Sequence, residues 1–150
     1  MTNEKKSIIM QHENIIEDYL TKPYWVVDIL PKQVPKDSHG QYFTIEKYYL
    51  TPEQSERRCR QFSDILIKLN CYEDMDVFHS SEQWVHNPHP QTLSDWVQEQ
   101  KPLFVVMKSA DTMITINGDD TYMTLYNPSE ELLTVVSALA TAEGLFLWKP

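Results

Sequence analysis

The last third of the chain carries the clearest pattern of apolar and polar positions. Leu103 to Met107 is a continuous apolar, partly β-branched run, the composition of a buried strand. Thr112–Ile116 and Thr121–Tyr126 flank Asn117-Gly118-Asp119-Asp120, a strong short-range hairpin signal. Asn and Gly accept the positive φ of a tight reversal, and Asp tolerates it better than most residues. The expected register pairs Ile116 with Thr121, Ile114 with Met123 and Thr112 with Leu125 on one face. On the other face Thr115 meets Tyr122 and Met113 meets Thr124. A slip of one residue would exchange the faces.

Asn127-Pro128-Ser129-Glu130 predicts a helix start, with Asn127 as cap, Pro128 at the first helical position and Glu130 at the third. Leu132, Val136, Leu139 and Ala140 then form one helical stripe. Gly144 suits the position after the helix, and Leu145 to Trp148 reads as a closing strand. The stretch is thus a β-hairpin-α-β unit.

Earlier in the chain, Ile8, Ile9, His12, Ile15, Ile16, Tyr19 and Leu20 fall on one face of a helix spanning residues 4 to 20. Pro23 ends it. Trp25 to Leu30 reads as a buried strand interrupted by Asp28. A lone buried carboxylate costs several kcal/mol by order of magnitude, so Asp28 is expected at an edge or paired. Pro31 to Gly40 is a loop, and Gln41 to Leu50 reads as extended. Thr51-Pro52-Glu53-Gln54 is a capping box that opens a helix to about Leu69, with Cys59, Phe62, Ile65, Leu66 and Leu69 on its apolar side. Met75 to His79 is a short strand, Ser80 to Pro90 a loop, and Thr92 the cap of a short helix carrying Leu93, Trp96 and Val97.

The expected fold is therefore α+β: a mixed, largely antiparallel sheet with helices packed on it, in a single domain over residues 1–150. Composition agrees. Of the residues, 41% are hydrophobic and 11% aromatic, too apolar for wholesale disorder. No apolar run approaches the roughly 20 residues of a bilayer span, and the N-terminus lacks the continuous apolar segment of a signal peptide. A cytoplasmic protein without a membrane partner is expected. Cys59 and Cys71 are expected about a helix length apart and reduced.

The net charge of −9 is uneven. Residues 1–75 carry 10 Lys and Arg against 12 Asp and Glu, and residues 76–150 carry 3 against 10. An acidic second half argues against binding nucleic acid through its phosphates. Arg57, Arg58 and Arg60 form the one basic cluster, and Glu53 and Glu56 sit where they balance it at i, i+4.

Catalytic signatures are weak. The three glycines are far apart, so no phosphate-cradling loop forms, and no Gly-x-Ser-x-Gly elbow occurs. No cofactor is implied. The expectation is a non-enzymatic interaction protein, of the acidic immunity or inhibitor type, acting through the aromatic loops at 31–49 and 79–90. Trp84, Tyr42, Tyr48 and His39 are its candidate partner-binding residues, and the partner is a protein. The alternative is a metal-binding protein or metal-dependent hydrolase built on His79, Glu82, His86 and His89, whose imidazoles and carboxylate are zinc or iron ligands. A monomer is favoured over a homodimer, because a chain of this length supplies enough sheet to cover the Ile-rich helix.

Overall fold

The computed structural model describes residues 14–37, 41–79, 83–117 and 120–150. Within them seven strands form one sheet: β1 (Tyr24–Asp28), β2 (Asp76–Phe78), β3 (Trp84–His86), β4 (Leu103–Met107), β5 (Thr112–Ile116), β6 (Tyr122–Tyr126) and β7 (Phe146–Trp148). Their spatial order is β3-β2-β4-β5-β6-β1-β7. Residues 14–20 are helical (α1), followed by α2 (Gln41–Tyr49), α3 (Pro52–Leu69), α4 (Pro90–Gln98) and α5 (Glu130–Ala142). The fold is α+β with helices on the sheet, and every strand pairing is antiparallel rather than mixed.

Alternation along the strands sorts side chains onto two faces. On the first, Val27, Met123, Ile116 and Leu103 are neighbours across four strands, as are Leu125, Ile114, Val105 and Val77. Against this aliphatic surface pack Phe62, Ile65, Leu66 and Leu69 of α3, Leu93 and Val97 of α4, and Leu132, Val136 and Ala140 of α5. Each large side chain so buried contributes about 1.5–3 kcal/mol.

The hairpin register differs from the expected one by two residues. Ile116 pairs with Met123, Ile114 with Leu125, Thr115 with Thr124 and Met113 with Tyr126. The expected pairing would have set Thr121 against Ile116 in the core. The observed one matches aliphatic with aliphatic and gives the connection one more residue. A shift of two keeps the period of the strand, so the faces are as expected.

Two helix starts also move, and a third lacks its expected side-chain cap. Ser129, not Asn127, caps α5, accepting from Leu132 N at 3.2 Å. Asn127 takes φ +62 and donates to Asp111 O at 2.9 Å, which ties the end of β6 to the start of β5. His89, not Thr92, caps α4 through Nδ1, leaving Pro90 at the first helical position. At α3 the capping box does not form. Thr51 lies at the N-cap, but its hydroxyl donates to Tyr48 O at 2.7 Å. The end of α5 is as expected: Gly144 at φ +76 lets its own N–H reach Thr141 O and that of Leu145 reach Ala140 O.

Gln41–Tyr49 is a helix, not extended. Its inward stripe is Tyr42, Glu46 and Tyr49, and the polar Glu46 at its centre hides the helical period. Tyr42 closes one turn by donating to Glu46 Oε2 at 2.9 Å. The expected loop 80–90 contains the three-residue β3, too short to show a period. Ile8, Ile9, His12, Gly118 and Asp119 lie outside the described residues.

Phe62 is 1% exposed and Tyr72 is 70% exposed. Phe62→Ala is expected to lower unfolding free energy in urea by about 3–5 kcal/mol. Tyr72→Ala should stay within about 0.5 kcal/mol of the parent.

Candidate functional site

The second face of the sheet has a different chemistry. Directly paired across all seven strands are Trp84, Phe78, Phe104, Thr115, Thr124, Val26 and Trp148. The neighbouring row runs His86, Asp76, Val106, Met113, Tyr126 and Tyr24. Beyond Val26, Asp28 pairs with Tyr122 on one side and Phe146 on the other. Aromatic rings thus gather at both edges of this face.

At the β6-β1-β7 edge the face is overhung by residues 30–36 and by the start of α2, and a cavity of about 450 Å³ lies between them and the sheet. The sheet supplies Tyr24, Val26, Asp28, Tyr122 and Trp148. The loop supplies Leu30, Lys32, Gln33, Val34, Pro35 and Lys36, and α2 supplies Tyr42 and Phe43. Pro31 and Pro35 fix φ at two points of the loop, which lowers its freedom to collapse into the space. Phe43, Tyr24 and Tyr122 keep exposed ring surface.

Asp28 is the charged group on the sheet side. It is neither at an edge nor ion-paired: β1 is an interior strand, and among the described residues no cation comes within 4 Å of its carboxylate. Instead Ile29 N donates to Oδ1 at 2.7 Å. Burial raises the Asp28 pKa, and the Ile29 and Leu30 amides and the Trp148 indole pull it back. The Trp148 N–H approaches the carboxylate without reaching full hydrogen-bond geometry.

Burial, the Glu46 hydrogen bond and the nearby Glu46 and Asp28 charges push the Tyr42 phenol up to about 12. The Tyr122 phenol is raised by burial and then by Asp120. Both phenols therefore stay neutral at physiological pH, in a negative field.

Of the expected partner-binding residues, Tyr42 lines this pocket. Tyr48 is exposed, packs edge-on against Tyr49 and accepts from Gln54 Nε2 at 3.2 Å, away from the cavity. His39 lies outside the described residues. Trp84 stacks on Phe78 at the opposite edge of the sheet, six strand spacings from Trp148, or about 29 Å. The two aromatic loops share a face but do not converge.

The histidines are likewise dispersed in their contacts. His79 meets the Trp96 ring edge-on at 4.2 Å between centroids, His86 Nδ1 lies 2.8 Å from Asp76 Oδ1, and His89 caps α4. Glu82 lies outside the described residues, among which no group of three or more His, Cys, Asp or Glu side chains is arranged to hold a metal ion. Both cysteines are free thiols; Cys59 is buried, which raises its pKa and disfavours the thiolate.

Asp28, Trp148, Tyr122 and Tyr24 were not singled out by sequence as site residues. The usable signal was Asp28 itself, a carboxylate in an otherwise apolar strand, together with the alternation that puts Tyr24 and Asp28 on one face. No known family model, no curated protein sequence and no solved structure matches this chain.

The raised Asp28 pKa gives a signed pH effect. The folded state holds this proton more tightly than the unfolded chain, whose aspartates titrate near 4. Its contribution to stability is full below about pH 4 and is lost as pH rises through the folded pKa. Asp28→Asn keeps an acceptor for Ile29 N and removes the buried charge. Its urea midpoint should match the parent in acid and exceed it increasingly toward neutrality. A gap that narrows as pH rises would contradict this.

Proposed function

We propose that this chain is a non-enzymatic interaction protein that holds a projecting group of a basic protein partner in the pocket over Asp28. The observation that carries the reading is the cavity of about 450 Å³, walled largely by aromatic and aliphatic side chains and containing one half-buried, unpaired carboxylate. Volume and lining fall in the range of sites that bind by occupancy, apolar with a few placed polar groups. Tyrosine and tryptophan around a recess are the residue types on which binding energy concentrates.

The net charge of −9 supports a basic partner, through attraction that speeds encounter and disfavours acidic competitors. A cytoplasmic location is part of the proposal; among the described residues, no helix is long and apolar enough to cross a membrane.

A photo-crosslinking residue at Phe43, on the exposed rim, tests the reading in the cells that make the protein. It should yield a discrete adduct with a basic protein, lost in Trp148→Ala and in Asp28→Lys. An adduct pattern identical to that from a crosslinker at the remote Tyr72 would remove the proposal.

A further inference from the structure

The pocket combines two features that together narrow what it holds. Rings come from three directions: Tyr24 and Tyr122 from the sheet interior, Trp148 from the edge strand β7, and Tyr42 and Phe43 from α2. One carboxylate, Asp28, lies among them with no cation of the chain at ion-pair distance among the described residues. Lys32 and Lys36 also line the cavity, and both are exposed residues with no ion pair to Asp28.

Asp28 Oδ1 already accepts from Ile29 N, so the carboxylate does not offer two free oxygens to one fork, and the Tyr42 hydroxyl proton is directed to Glu46. A guanidinium fork pairs best with both oxygens of a carboxylate, and a primary ammonium brings three donors that each need an acceptor. A fully methylated ammonium needs none. Its charge is spread over methyl groups that lie against ring faces, where the ring quadrupole attracts a cation, and a carboxylate nearby adds a charge contact without a hydrogen bond. Resting on the reading above, we infer that the pocket between α2 and the β6-β1-β7 edge is a cation cage for a quaternary ammonium group, with Asp28 as its counter-charge.

The test uses the full chain and small probes. Choline and its neutral isostere 3,3-dimethylbutan-1-ol have the same shape and differ in charge. In an NMR titration choline should bind about tenfold more tightly than the alcohol. Its N-methyl protons should move upfield, as nuclei above ring faces do. Asp28→Asn should remove most of that preference while leaving the alcohol's affinity unchanged, and ethanolamine, the primary-amine counterpart, should bind more weakly than choline.

Equal affinity for choline and the alcohol, or tighter binding of ethanolamine or methylguanidinium, would overturn the cage. So would the absence of binding by every probe. If the Phe43 crosslink still captured a basic protein in that case, the interaction reading would survive without this inference; if the crosslink failed too, both would fall.

Discussion

The placement of β1 between β6 and β7 is the constraint on which the rest of the candidate site depends. These strands come from opposite ends of the chain, and only their antiparallel pairing puts Asp28 beside Tyr122 and Val26 beside Trp148. The same pairing commits Val27 to the aliphatic face, where it is fully buried among Met123 and Leu147. Because successive residues of a strand point to opposite sides, burying Val27 leaves Val26 and Asp28 no choice but the aromatic face. The core thus fixes the orientation of the pocket floor. Moving β1 by one residue would expose Val27 and bury a carboxylate in the core, a cost of several kcal/mol in order of magnitude.

The roof is held differently. Residues 30–37 have two prolines but no helix or strand, and α2, the next helix in the chain, completes the wall of the cavity with Tyr42 and Phe43. The guanidinium of Arg58, 2% exposed on α3, donates to Tyr49 O at the end of α2 and to Ser55 Oγ. Burial lowers the Arg58 pKa, the mark of a cation taken from water for a structural contact. Through it α2 is fastened to the helix that packs the core, and Tyr42 and Phe43 are kept over the cavity. Of the three arginines the sequence displays as one basic cluster, Arg60 pairs with Glu56 at 2.5 Å on the surface, whereas Arg58 serves this inward role.

Where local pattern and tertiary packing demanded the same thing, the sequence was legible. The long apolar run of β4, the stripe of α3 and Gly144 after α5 were each readable, and with them the α+β class. Legibility failed where one residue answered to two demands. Asn127 looks like a helix cap, yet its left-handed backbone and its bond to Asp111 serve the β5–β6 join, leaving the cap to Ser129. Glu46 breaks the apolar period of α2 because it partners Tyr42. The reversal at Asn117 to Asp120 was readable, and Asp120 N donates to Asn117 O at 3.0 Å, but the pairing of aliphatic residues across β5 and β6 set a register two residues from the expected one. At the site, Tyr42 was recognisable as an aromatic in a loop-rich region. Trp148 and Tyr122 were not, because their role exists only once strands remote in sequence lie side by side.

Crystals of the full chain soaked in choline test most directly whether the space over Asp28 is a binding pocket for a methylated cation. The expected result is density for the trimethylammonium group among Tyr42, Tyr122 and Trp148, with the nitrogen within about 6 Å of ring centroids and facing the Asp28 carboxylate. A pocket closed by the chain's own side chains, or choline seated elsewhere while this space stays empty, would contradict it.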